Sequence, residues 1–212
     1  MAAEEILSGE EFRRCVEFHG HICPGLAIGF QAGRVLMKRL GASKAPDEEL
    51  LAIVENDACG VDAIQVMTGC TFGKGNLIFR NYGKHAFSLI DRKRERALRV
   101  CFLSNVLKAD TESLSLSEKV QKDEASQRES ARFKQLQQER TQKILEADAE
   151  SLFKIEEIPP DLPPKARIVK SGVCDFCKEL TKIDLLHEVN GKKACIPCAR
   201  EQGLDIGRMI GS

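Results

Sequence analysis

Four cysteines near the C-terminus, Cys174, Cys177, Cys195 and Cys198, place the tightest constraint on what this chain can fold into. They form two C-x2-C pairs, CDFC and CIPC, separated by 17 residues. Two such turns bring four thiolates to the corners of a tetrahedron, the pattern of a structural zinc site. Four protein ligands close the coordination shell, so the ion is expected to hold structure and not to react. A redox use of the two pairs is the competing reading. A module spanning 166–212 is too small to bury a sufficient core, and metal binding would supply its folding free energy. Asn190-Gly191, between the pairs, signals a hairpin. The stretch after Cys198 suits a helix whose start carries the last ligand. Knuckle, hairpin and helix together predict a treble-clef-like zinc finger, with His187 on the hairpin surface.

The remaining cysteines belong to a different setting. The total of nine is odd, and the acidic start MAAEEILSGEEF lacks the basic and apolar regions of an export signal. Metal or redox chemistry in the cytoplasm is therefore expected in place of disulfides. No run reaches the length of a membrane span. Lys plus Arg and Asp plus Glu are equal at 32 each, giving no pull toward nucleic acid or anionic lipid. There is no Trp and one Tyr, which leaves little with which to stack bases. In the C-terminal module, Lys192, Lys193, Arg200 and Arg208 are interspersed with acids and make no phosphate-tracking stripe.

Residues 1–165 read as an α+β core with a mixed or antiparallel sheet. Ser8, three residues before Glu11, has the spacing of a capping box and predicts a helix ending near Gly20. Pro24 suits the first position of a helix running to Leu40, with Gly41 as its stop. LLAIVEN predicts a buried strand from residue 50, and VDAIQVMTG a short helix closed by Gly69. NLIFRNYGKHAFSLID predicts two strands joined at Tyr82-Gly83, and ALRVCFLS a further one. From about 117 to 150, the absence of Gly and Pro and the abundance of Lys, Glu, Gln and Arg predict one long charged helix. Its second half has Phe133, Leu136, Ile144 and Leu145 to bury. Pro159 to Pro164 marks a connector or the edge of the last module.

Two clusters in this core invite chemistry. In FHGHICPG, His19, His21 and Cys23 alternate, so in an extended segment they would line one side. Cys23 would cap the helix that starts at Pro24, where the dipole and free N–H groups favour a thiolate. Two imidazoles and a thiolate suit a borderline-soft ion with a position left open for water or substrate. Alternatively, an imidazole serves as base to a Cys23 nucleophile, which would make His19 and Cys23 catalytic. The plain reading is a histidine bonded to a carbonyl beside a small buried thiol. Farther on, Cys59, Asp62 and Gln65 lie three apart on the predicted short helix and share a face. Gly69, Gly73 and Gly75 then bracket Thr71 and Lys74. Their spacing does not fit a Walker A loop, because three residues, and not four, separate Gly69 from Gly73, and Gly75 follows the lysine.

FHGHICPG, then CGVDAIQVMTGCTFGKGNL and NYGKHAF, resemble the motif blocks of the FmdE family, named for a component of the formylmethanofuran dehydrogenase of methanogens. The likeness extends through LFKIEEI to the C-terminal cysteine pairs. The resemblance implies an α+β core that forms a homodimer and a groove lined by His19, His21, Cys23, Cys59, Asp62 and Gln65, with Thr71 and Lys74 as further members. It also implies company with molybdenum or tungsten enzymes of one-carbon metabolism. The donor types in the groove make a metal or a metal-bearing cofactor there the leading expectation. The alternative function is a regulator or adaptor that binds nucleic acid or a partner protein through the zinc module and the long helix.

Overall fold

The computed structural model describes residues 3–103, 111–164 and 169–206. The chain divides into two compact units, Met1–Pro163 and Pro164–Ser212. Among the described residues, no helix is long and apolar enough to cross a membrane.

The first unit is built on a five-stranded mixed sheet. Its strands are β1 (Leu50–Val54), β2 (Leu77–Phe79), β3 (Ala86–Asp91), β4 (Arg96–Phe102) and β5 (Phe153–Ile158). They lie in the order β2-β1-β3-β4-β5, with β2 parallel to β1 and every other pair antiparallel. The two strands expected on either side of Tyr82-Gly83 are β2 and β3, but they flank β1 and do not pair with each other. All five residues of β1 are buried, because both faces of the sheet are covered there. Leu50, Ala52 and Val54 face the main core, and Leu51 and Ile53 join Ile90 and Ala97 on the other side.

The helices against the main-core face are α1 (Ala3–Ser8), α2 (Glu10–His19), α3 (Pro24–Leu40) and α4 (Gly60–Thr68). Ser8 does not cap α2. It ends α1, its hydroxyl donating to the carbonyls of Glu4 and Glu5, and Gly9 occupies the N-cap position of α2 without a side-chain bond. Pro24, Leu40 and Gly41 delimit α3 as the sequence predicts, with Gly41 left-handed at φ 60°. An unbroken buried run from Leu26 to Gly33 makes α3 the central helix.

The charged helix is divided. Thr111–Gln121 forms α5 and Gln127–Glu146 forms α6, with Asp123 in the left-handed region between them at φ 55°. Ser126 and Glu129 build a full capping box, which restarts the helix and folds α5 back along α6. Arg132 reaches Glu112 with two 2.9 Å bonds across this pair. The end of α6 buries Thr141, Ile144 and Leu145. The buried Gln31 amide on α3 donates to the carbonyls of Ile144 and Leu145 at 3.1 and 2.8 Å, satisfying groups that a helix end leaves orphaned. A short α7 (Ala149–Leu152) then leads into β5.

The second unit consists of two hairpins and a helix. β6 (Ser171–Val173) pairs with β7 (Leu180–Lys182), and the first cysteine pair lies in their turn. β8 (His187–Val189) pairs with β9 (Lys192–Ala194) around Asn190-Gly191, both left-handed at φ 52° and 72°. α8 (Ile196–Glu201) begins before Cys198, with Cys195 at its N-cap and Cys198 in its first turn.

Candidate functional site

The first site is assembled by an unusually close helix pair. On α3, Gly25, Gly29 and Gly33 recur at four-residue spacing and face α4. A Cβ on Gly29 would lie 2.1 Å from the Gly60 carbonyl oxygen and 2.4 Å from its Cα. One on Gly33 would meet the Met67 side chain at 2.9 Å, and one on Gly25 would meet the Cys59 Cβ at 3.1 Å. Successive glycines meet successive positions of α4, so the helices run parallel and their N-termini converge. Cys23 occupies the N-cap of α3 and Cys59 that of α4.

His19, His21 and Cys23 converge, though not on an extended strand. His19 is the last residue of α2, and Gly20 turns the chain left-handed at φ 94° before His21. This turn, in place of strand alternation, lies between the first two of the three donors. One donor atom from each of the three lies within 4.8 Å of the others. The His19 and His21 rings sit 4.4 Å apart, centroid to centroid. Cys23 Sγ is 3.7 Å from His19 Nε2. On the other side of the ring, His19 Nδ1 is 2.7 Å from Asp62 Oδ2, and Gln65 Nε2 is 3.5 Å from the other Asp62 oxygen. His19 is nearly enclosed, with a side chain 10% exposed, whereas His21 lies in the open.

Cys23 caps α3 as the sequence predicts, its sulfur accepting from Leu26 N at 3.4 Å. The expected ionisation does not follow. Burial raises the thiol pKa, Cys59 raises it further, and the N–H of Leu26 opposes them without prevailing. Desolvation therefore outweighs the helix terminus.

The structure does not bring Thr71 and Lys74 into this cluster. Lys74 Nζ donates to the carbonyls of Ala45, Pro46 and Asp47 at 3.1 to 3.4 Å, and Thr71 N donates to Asn76 Oδ1 at 2.9 Å. They stabilise the loops around the buried Asn76, which also donates to the carbonyls of Asp47 and Leu50. Sequence reasoning passed over Asn56, whose amide donates to Lys84 O at 2.6 Å and whose Oδ1 accepts from Ala58 N at 3.0 Å. It shapes the turn that delivers Cys59 to α4. Its only signal is the Asn-Asp pair after a β run, a common turn pattern.

The second site lies in the second unit. Cys174, Cys177, Cys195 and Cys198 bring one sulfur each within 4.8 Å of one another, a four-thiol cluster that could hold a metal. Cys174 Sγ accepts from Cys195 N at 3.3 Å, and Cys177 and Cys195 sulfurs are 3.7 Å apart. Burial raises the Cys174 thiol, but the N–H groups of Cys195, Cys177 and Phe176 more than offset it and hold the pKa down to about 6. Cys198 is pushed up to about 12 by Cys195, by burial and by the other two cysteines. Negative charge taken by one sulfur is thus denied to its neighbour, and full ionisation of the cluster calls for a cation.

Comparison with known proteins gives a consistent picture. The family model described as "FmdE, Molybdenum formylmethanofuran dehydrogenase operon" matches residues 18–154. A probable S-adenosyl-L-methionine-binding protein of Archaeoglobus fulgidus is 34% identical over 204 residues, which cover 93% of this chain and 54% of that one. The chain therefore spans about half the length of this relative. The crystal structure of a tungsten formylmethanofuran dehydrogenase FmdE-like protein from Syntrophus aciditrophicus is similar with a TM-score of 0.58 and 25% identity, covering 92% of this chain and 91% of that one.

Proposed function

Because the chain belongs to the FmdE family, we propose that it is a metal-binding protein whose N-terminal groove holds a metal or a metal-bearing cofactor on His19, His21 and Cys23. The observation that carries the reading is the convergence of these three donors beside a His19 ring oriented by Asp62. With Nδ1–H donated to the carboxylate, His19 presents Nε2 toward Cys23, the arrangement that fixes the tautomer and raises the basicity of a metal-ligating histidine. Gln65 restrains the carboxylate from its other oxygen. Two imidazoles and a thiol fit a borderline-soft ion and suit hard ions such as magnesium poorly. Such an ion, when bound, supplies Lewis acidity to an oxygen or sulfur group placed in its remaining position. The competing reading makes His19 the base of a Cys23 nucleophile. It leaves His21 without a task.

In the second unit the four thiols bind structural zinc, in a treble-clef-like finger that folds with its metal. We place the protein in the cytoplasm as a homodimer, in company with a molybdenum or tungsten enzyme of one-carbon metabolism. The name of the matching family and the description of the similar structure support the link to such an enzyme. The adaptor reading draws on one observation: Val173, Leu180 and Ile183 expose apolar surface on the finger, which fits protein docking better than nucleic acid.

Metal analysis of the full chain tests the groove. The His19→Ala, Cys23→Ala double variant should lose one ion per chain relative to wild type while retaining zinc on the four cysteines. Equal metal content in the two proteins would refute the groove assignment.

A further inference from the structure

The C-terminal half of α3, away from the His19 groove at its start, borders an open trough. One wall is α3, and the other is the end of α6 with the turn into α7. The walls touch at both ends. Gln31 donates to the Leu145 carbonyl at 2.8 Å, and Arg39 pairs with Glu150. These two α3 residues are eight apart in sequence, about 12 Å along a helix. Between the ties the walls part around a cavity of about 770 Å³, the size of a small-molecule site.

The two walls carry opposite charge. Arg34 and Lys38, one helical turn apart, line the α3 side, and Glu146 and Asp148 line the other. Among the described residues, none of these four closes an ion pair. Arg34 lies over the Phe30 ring at 5.7 Å, and the Asp148 carboxylate makes no capping bond to α7. The 20-residue α6 ends here, so its negative pole adds to the acidic wall. Glu11 contributes a further carboxylate from α2. A simple anion would sit beside Glu146 and Asp148, and a simple cation beside Arg34 and Lys38. A head group with both charges satisfies both walls at once. Val35, Met37 and Met67 line the same cavity with apolar surface, and the two thioethers adapt to chains of different shape.

We propose that the trough binds a free α-amino acid with an extended apolar side chain. Its carboxylate lies on Arg34 and Lys38, its ammonium faces Glu146 and Asp148, and its side chain runs along Val35, Met37 and Met67. An α-amino acid carries the two charges on one carbon, which suits walls that face each other across a narrow gap. The site uses no residue of the His19 groove and stands or falls apart from the metal reading.

The test is titration of the full chain, with zinc on the four C-terminal cysteines, by L-2-aminohexanoic acid, followed by NMR of the backbone amides. Saturable shifts should fall within residues 31–42 and 145–150. Hexanoate lacks the ammonium and pentylamine lacks the carboxylate, and each should bind at least about tenfold more weakly, the lower end for loss of a hydrogen bond to a charged group. Lys38→Ala should weaken the amino acid about tenfold without weakening pentylamine, and Asp148→Asn should weaken it without weakening hexanoate. Both are exposed side chains whose replacement leaves the core intact. Lengthening the side chain from 2-aminobutanoic to 2-aminooctanoic acid should tighten binding about two- to fourfold per methylene. Equal binding of hexanoate or pentylamine, full affinity in Lys38→Ala, shifts confined to other residues, or no saturable binding at millimolar concentrations would each overturn the proposal.

Discussion

Replacing Gly29 with Ala puts the helix contact that builds the groove under direct strain. The added methyl would fall 2.1 Å from the Gly60 carbonyl oxygen and 2.4 Å from the Gly60 Cα. Both are backbone atoms and cannot turn away, so α3 and α4 must separate. Inserting a methyl into a packed core costs roughly 1–3 kcal/mol, and a contact this short belongs at or above the top of that range. Helical propensity opposes it by about 1 kcal/mol, since Gly29 lies mid-helix. The net loss should be about 2 kcal/mol or more, a fall in Tm of roughly 4–8 °C for a chain of this size. Gly33→Ala is the control. Its methyl would meet Met67 Cβ and Cγ at 2.9 and 3.0 Å; the Cγ can turn away about χ1, whereas the Cβ is fixed by the backbone and calls for a small shift of the helices. The crowding is milder there than at Gly29 and the propensity gain offsets part of it, so Gly33→Ala should cost less than Gly29→Ala. Urea and thermal unfolding of the two variants, with the same four-cysteine metal loading, decide the matter. A Gly29→Ala protein as stable as wild type would refute the close backbone packing and, with it, the construction of the groove.

Asp62→Asn keeps the shape of the side chain but weakens its hold on His19 Nδ1, and should lower groove metal affinity about 10- to 100-fold in a competition titration. Cys177→Ser should release the C-terminal metal and abolish the chemical-shift dispersion of residues 169–206 in an NMR spectrum, while that of the first unit persists. Ser126→Ala removes one half of the capping box and should destabilise the α5–α6 pair by about 1 kcal/mol, seen as faster amide exchange in the first turn of α6. Asp91 gives a pH signature. Burial raises its pKa, but the N–H groups of Arg94 and Lys93 and the Arg94 guanidinium outweigh burial and hold it below the usual carboxylate value. A depressed pKa in the folded state stabilises the protein above the unfolded-state value of about 3.9, and this stability is lost as pH falls through the folded pKa. Asp91→Asn should therefore flatten the acid limb of the stability profile below about pH 4 and cost stability near neutrality.

Much of the architecture was legible because its signals are local. Pro24 and Gly41 delimit α3, Gly69 closes α4, and Asn190-Gly191 makes its hairpin, since each rests on the backbone preferences of one or two residues. The split of the charged helix was also written locally, in Ser126 and Glu129, but propensity summed over the whole stretch hides a capping box inside it. Sheet order was not legible: that β1 runs between β2 and β3 depends on pairing distant in sequence. At the groove, the residue types were readable and their assembly was not. His19, His21 and Cys23 meet through a left-handed Gly20, not through strand alternation. The pairing of Asp62 with His19 spans 43 residues and depends on glycines whose packing role appears only when α4 is in place. Lys74 entered the groove set only through the family likeness, and a flanking glycine loop gives no hint of the three carbonyls that hold it.

The central claim, a metal site on His19, His21 and Cys23 distinct from the four-cysteine cluster, is tested most directly by anomalous diffraction from crystals of the full chain grown with zinc. The account predicts two anomalous peaks per chain, one among Cys174, Cys177, Cys195 and Cys198 and a second bounded by His19 Nε2, His21 and Cys23 Sγ. A single peak, confined to the four cysteines at full zinc occupancy there, would contradict it.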